Sequence, residues 1–411
     1  MSLRLNHFLG ALFLVAGTTI GAGMLAMPTT NAFSGCFWAL VFLGFSWVFM
    51  LGTAFLLIDV TLHIKKKAHL ISMTESLLGE KAKAVCGVTY LLLLYSLTAA
   101  YISGASRLLQ TLFLGTLPSG VYPFLLPLIL VFAFSWFLSF GMRSIDLVNR
   151  ILMVGLLFSY LILLVFLPSR IEPSLLAHSD LSAALFGIPV MITSFGFHIV
   201  IPSLASYMEY QKKPLQKAVF WGSVLPLFVY VLWEIVTLGI IPLRGEVSFF
   251  SALQTGGAIT ETLVALVGAP YIQLGALLFS LFAMLTSLLG ISISLIDFLR
   301  DGLRKRQQRY PKSAPLFFTF IPPLLFTLFY QQGFLLALEY AAVFVAILLG
   351  MFPVFLAWKL PQPSVYRSLW GRVYLIVLFI ISCAIIVCSF LPTIPTFQNI
   401  LQTYAYESLS S

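Results

Sequence analysis

Twelve residues near the start of the chain, GTTIGAGMLAMP (Gly17 to Pro28), depart from the apolar run around them. Glycine inside a helix costs roughly 1 kcal/mol relative to alanine, and proline about 3. In hydrocarbon, freed backbone groups need new partners, so an interrupted helix persists only against protein or a cavity. Thr19 to Gly23 is therefore expected to unwind around a small solute. Unwinding at Gly21, Ala22 and Gly23 leaves N–H groups at the positive end of the following half-helix, which can hold a carboxylate without an arginine. A second stretch, TSFGFHIVIPS (Thr193 to Ser203), has the same character, with Gly196 between Phe195 and Phe197, then His198 and Pro202. The half-helix that ends near Ser194 presents free carbonyls, which suit an ammonium group. Donors for a carboxylate beside acceptors for an ammonium fit an α-amino acid. Phe195 and Phe197 offer either stacking for an aromatic side chain or plain packing, since the chain holds 38 Phe.

Other polar residues inside apolar segments are few, and each has two readings. Tyr101 can donate to the carboxylate or simply pack. Thr286 and Ser287 can join first-span carbonyls around a sodium ion or a water, or bond back to their own helix. His198 can carry a proton or serve as a hydrogen-bonded structural residue. Glu234 and Glu339 fall in the outer thirds of their spans; intramembrane acids are functional candidates by default, and the alternative is snorkelling to the interface. Asp59, Asp146, Glu209, Asp297 and Asp301 sit at span ends. The chain contains no HExxH, Walker A loop, GxSxG or metal-spaced His/Cys cluster, so neither an enzyme nor an ATP-driven pump is expected, and no cofactor or resident metal. Cys36, Cys86, Cys383 and Cys388 read as small buried hydrophobes.

The elements that must position these groups are membrane helices. With 60% hydrophobic and 9% charged residues over 411 positions and a mean hydropathy of +1.02, the composition excludes a soluble domain. Eleven spans are expected, at roughly 8–31, 33–58, 84–112, 122–140, 146–167, 183–207, 218–241, 265–297, 314–331, 334–357 and 373–392. The eighth is over-long, either tilted or including part of the preceding loop. Arg4 precedes a glycine-broken run longer than a leader's apolar core, so that run reads as a first span. Of the 23 Lys and Arg residues, Arg170 and Arg244 fall on one side, Arg107 lies within the third span, and all others fall on the opposite side. That asymmetry places the N-terminus in the cytoplasm and the C-terminus outside. The basic loops, Lys65 to Lys67 and Arg300 to Lys312 among them, are topology signals and contacts to the lipid bilayer rather than a nucleic-acid surface. Residues 65–83 are expected as an interfacial helix, and 244–263 as a lid turning at Gly256 and Gly257.

Spans one to five start inside and spans six to ten start outside, so the breaks in spans one and six lie at matching places in two inverted halves. Such a pair is the sequence signature of a secondary transporter's binding site. The expected organisation is one transmembrane domain with a first repeat over 1–167, a second over 183–357 and an extra helix at 373–392.

GTTIGAGMLAMP, TSFGFHIVIPSLASYM (Thr193 to Met208) and LTSLLGISISLIDFLRDGL (Leu285 to Leu303) resemble the bacterial hydroxy/aromatic amino acid permease family, the tyrosine permease branch most closely. The resemblance spans essentially the whole chain. It implies an all-α polytopic membrane protein with the LeuT-like 5+5 inverted repeat of the amino acid–polyamine–organocation superfamily. It also implies proton-driven uptake of tyrosine, or of tryptophan in a sister branch, across a bacterial inner membrane. By position, Thr18 to Gly23 and Ser194 to Phe197 become the substrate-contacting breaks, and Thr286 and Ser287 sit where sodium-coupled relatives hold an ion, which leaves H+ and Na+ both open. Ile199 and Val200 after His198 depart from the smaller residue expected there. A serine/threonine permease is the nearer alternative; a channel or an amino acid sensor is the distant one, since a channel needs repeated polar rings and a sensor an output domain.

Overall fold

The computed structural model describes residues 2–64, 69–113, 120–140, 142–303, 314–330, 333–361, 365–391 and 394, and no strand occurs among them. Lys65, Lys66, Lys67, Arg304, Lys305, Arg306, Arg309 and Lys312, which carry part of the charge asymmetry, lie outside the described residues.

The first apolar run is two helices, α1 (Ser2–Thr19) and α2 (Gly23–Asn31). A 3-10 turn leads to α3 (Gly35–Ile64) through Gly35 at φ +79°. A Cβ there would run into the His178 carbonyl, so both conformation and space demand glycine. The amphipathic α4 (Leu70–Leu78) follows, with Leu70, Ile71, Leu77 and Leu78 packed partly buried against the core. Next come α5 (Glu80–Phe113), α6 (Tyr122–Leu138), α7 (Met142–Phe166) and the single-turn α8 (Pro173–Leu176). The second interrupted run is α9 (Ile188–Ser194) and α10 (Ile201–Tyr207), followed by α11 (Lys212–Leu238).

The anticipated lid is α12 (Phe249–Thr255), which a left-handed Gly256 closes, and α13 (Ile259–Leu266). The over-long eighth span divides here. Its first residues belong to α13, and α14 (Pro270–Leu303) starts at a proline, which is pre-set for the first helical position and lacks an N–H that would go unused. The chain continues with α15 (Ala314–Phe329), α16 (Gly333–Val345), a π-helical turn (Ala346–Met351), α17 (Phe352–Trp358) and α18 (Leu369–Phe390). Among the described residues, eight helices are long and apolar enough to cross a membrane, and His7–Thr19, Tyr122–Leu138 and Ala314–Phe329 are shorter apolar helices. Phe132, Trp136, Val154 and Phe329 are exposed, as a lipid-facing surface requires.

The helices form two sets of contacts, which meet where α16 lies on α9 and α17 on α3. In one, α1 lies on α11, α11 and α10 on α3, and α9 on α2 and α3. In the other, α14 lies on α5 and α7, and α15 and α16 lie on α5. Where α3 ends, Asp59 joins three segments: it pairs with Lys212 at the start of α11 (2.6 Å) and accepts from the Tyr366 hydroxyl (2.7 Å). Burial, and then the bond to Asp59, push the Tyr366 phenol far above its ordinary pKa, so it remains a donor at any physiological pH.

Candidate functional site

The two interruptions meet. The Ile20 N–H still reaches the Ala16 carbonyl at 2.9 Å, after which the chain turns through Gly21 and Ala22 into α2. Ala22 has no side chain with which to cap α2, and its N–H donates to Ser287 Oγ of α14 at 3.2 Å. In the second run Phe195 and Gly196 leave helical geometry, and a 3-10 turn (Phe197–Val200) leads into α10. Contact between the breaks depends on missing side chains. A Cβ on Gly23 would collide with the Ser194 side chain, and one on Gly21 would lie 2.7 Å from Ser287 Oγ. Tyr230 of α11 touches both breaks at once: its hydroxyl lies 2.6 Å from the Thr19 carbonyl and 3.2 Å from the Ser194 carbonyl. These are terminal carbonyls of their half-helices, the groups that helix geometry leaves without partners.

A cavity of about 700 Å³, its opening included, lies between the breaks. Thr18, Thr19, Gly21, Ala22 and Gly23 line one wall, Thr193, Ser194 and Gly196 another, and Tyr101 and Ser287 reach it from α5 and α14. Leu93, Leu94 and Leu97 of α5, with Ile199 and Ile291, extend it as an apolar slot. Thr18 is exposed whereas every residue from Met24 to Ser34 is buried, so the cavity opens on the α1 side of the breaks and is sealed on the α2 side. On the sealed side Arg107 of α5 clasps the lid, donating to the Thr255 carbonyl (2.6 Å) and pairing with Glu261 (3.2 Å). The Thr260 and Ser280 hydroxyls bond to each other nearby in sequence, joining α13 to α14.

Several residues singled out from the sequence lie elsewhere. Phe195 and Phe197 are fully buried and do not line the cavity; Phe195 sits edge-on to Tyr230 (5.3 Å between ring centres) and Phe197 stacks on His198 (5.2 Å). His198 is buried against α3, Nε2 2.9 Å from Thr53 Oγ1. Thr286 bonds back to the Phe282 and Ala283 carbonyls, which leaves Ser287 as the member of the pair that meets the break. Glu234 does not snorkel: it is fully buried, and its Oε1 accepts from the Asn31 amide at 2.7 Å. Glu339 is partly exposed on α16, away from the cavity lining. The residue pattern alone does not single out Tyr230 or Asn31. Their signal is the same as that of Tyr101, a polar group in an apolar run, but only the fold supplies their partners.

A profile of the tryptophan/tyrosine permease family matches residues 4–389. The chain belongs to this family. Tyrosine-specific transport system 1 of Haemophilus influenzae is 32% identical over 387 residues, covering 93% of this chain and 96% of that protein. A tryptophan-specific transport protein of the same organism is 28% identical over 389 residues, 89% of this chain and 91% of that protein. Among solved structures, that of MhsT in complex with L-phenylalanine superposes with a TM-score of 0.64 over 94% of this chain and 98% of that one. At 17% identity, that likeness establishes the fold. In this permease, Tyr230→Phe removes the single hydroxyl proton that two buried carbonyls share. Each group left unpaired costs about 1–3 kcal/mol, so a fall in thermal midpoint and a slower uptake are expected together. Scanning calorimetry beside an uptake assay checks this, and unchanged stability would show that both carbonyls find other partners.

Proposed function

We propose that this permease is a secondary active transporter importing aromatic amino acids, tyrosine foremost, by ion symport and alternating access across a bacterial inner membrane. The observation that carries the reading is the meeting of two helix breaks around one cavity, in a chain matched nearly end to end by tyrosine- and tryptophan-specific transport proteins. The start of α2 and the Tyr101 hydroxyl receive the substrate carboxylate. The carbonyl ends of α1 and α9 receive the ammonium. The side chain enters the slot of Leu93, Leu94, Leu97, Ile199 and Ile291, which is more apolar than a serine or threonine substrate needs.

The same reading assigns eleven spans, three of them the shorter apolar helices, with the N-terminus inside, inverted repeats over 1–167 and 183–357, and an extra helix at 373–392. The first packing group, spans one, two, six and seven, rocks against the second. A proton is the preferred coupling ion, with Glu234 its foremost carrier and His198 and Glu339 secondary. Sodium would draw on Ser287 and the span-one carbonyls. Uptake of labelled tyrosine, tryptophan and serine into proteoliposomes, with proton and sodium gradients imposed separately, tests the assignment. Tyrosine accumulation under a proton gradient alone is the expected result. Accumulation that requires sodium moves the coupling site to Ser287, and serine uptake without aromatic uptake overturns the substrate.

A further inference from the structure

A second polar cavity lies behind α5. Seen down that helix, Tyr90, Leu93, Leu94, Leu97 and Tyr101 face the substrate cavity, and Ser103, Ser106, Arg107 and Gln110 share the opposite face at i, i+3, i+4 and i+7. That rear face, with the start of α6 (Tyr122, Pro123, Pro127) and Thr327 of α15, encloses a pocket of about 700 Å³, opening included. It is distinct from the substrate cavity and shares no lining residue with it.

The pocket is rich in donors. The Ser103 and Ser106 hydroxyls, on residues 1% and 6% exposed, have no hydrogen-bond partner. Arg107 uses its two terminal nitrogens on the lid, at Thr255 and Glu261, while its buried Nε is also without a partner. The Gln110 amide adds a further donor. The 17-residue α6 begins here with no acidic residue in its first turn, so it brings no negative charge to the pocket; Pro123 has no N–H, and the Phe124 and Leu125 N–H groups bond to the Val121 carbonyl, so it adds no strong donors either. No carboxylate lines the pocket among the described residues; the nearest charge balance is Glu261, engaged by Nη2 rather than Nε. Buried donors left unpaired are costly, and an unpaired guanidinium edge more so than a hydroxyl.

We propose that this pocket binds a small monovalent anion, held by the Ser103 and Ser106 hydroxyls, Arg107 Nε and the Gln110 amide. Chloride and the carboxylate of a small organic acid share the required chemistry. The site rests on neither the substrate assignment nor the coupling ion, so it can fail while both stand.

The test uses the purified full-length protein in detergent, with its thermal midpoint followed as sodium gluconate is replaced by chloride, bromide or acetate at constant ionic strength. A saturable rise with chloride or acetate is expected; a halide-only response identifies an inorganic ligand, and an acetate-only response an organic carboxylate. In Ser103→Ala/Ser106→Ala the half-saturating concentration should rise roughly tenfold or more, the loss of about one charge-assisted hydrogen bond. Gln110→Leu, at a partly exposed position, provides a second variant should the first not fold. No salt-specific shift, a shift that rises without saturating, or saturation that neither variant alters would each overturn the proposal and leave the pocket to water.

Discussion

Gly23→Ala is expected to reduce tyrosine uptake by about 10- to 100-fold. A methyl at this position collides with the Ser194 side chain, where the two breaks meet. Overpacking of this kind costs about 1–3 kcal/mol, and the upper part of that range corresponds to about a 100-fold change in an equilibrium or rate. The strain falls where α2 presents its first N–H groups, so the loss should appear in transport before it appears in folding. Gly23→Ala/Ser194→Gly supplies the control. Removing the serine side chain vacates the space that the new methyl needs, and uptake should recover by about tenfold over the single variant. Uptake and thermal midpoint measured side by side decide the matter; a Gly23→Ala protein that transports normally would show that the breaks separate freely.

Glu234→Gln should abolish ion-driven accumulation while preserving exchange of labelled for unlabelled tyrosine. Glutamine keeps the shape of the side chain and an oxygen to accept from Asn31 Nδ2, so the packing between α2 and α11 survives. What it loses is the capacity to take up and release a proton in a place where Glu234 Oε2 and Asn31 Oδ1 both lack partners. For a one-to-one symport, each pH unit of gradient supports about a tenfold accumulation. The variant should reach the external concentration and stop. Accumulation at the level of the parent protein would make the Asn31–Glu234 pair purely structural. Glu234→Ala is the contrasting variant: it strands the buried Asn31 amide and leaves a cavity, and it should lower stability by about 1–3 kcal/mol whatever the coupling ion.

The breaks were legible in the residues because glycine and proline weaken a membrane helix, and the freed backbone groups must then face protein or a cavity. The fold of the 244–263 segment was legible because it is long for a loop and Gly256 and Gly257 mark a turn within it. The direction of individual side chains was a different matter. Thr286 and Ser287 are neighbours, yet one step along a helix turns about 100°, enough to point Thr286 at its own backbone and Ser287 at the break. Phe195 and Phe197 sit where helical periodicity is suspended, so no period could assign them a face; both turned inward, against Tyr230 and His198. Asn31 and Glu234 are 203 positions apart, and nothing local in either segment pointed to the other. Patterning specified which segments break, and tertiary packing specified what each break touches.

Thr18 is open while everything from Met24 to Ser34 is closed off. A molecule resting in this arrangement exchanges solute with one compartment only, the one on the α1 side. As that compartment fills, returning solute reoccupies the cavity and holds the protein where it is. On the orientation proposed above, with the N-terminus inside, that compartment is the cell interior, and the store of imported amino acid acts as its own brake on further uptake.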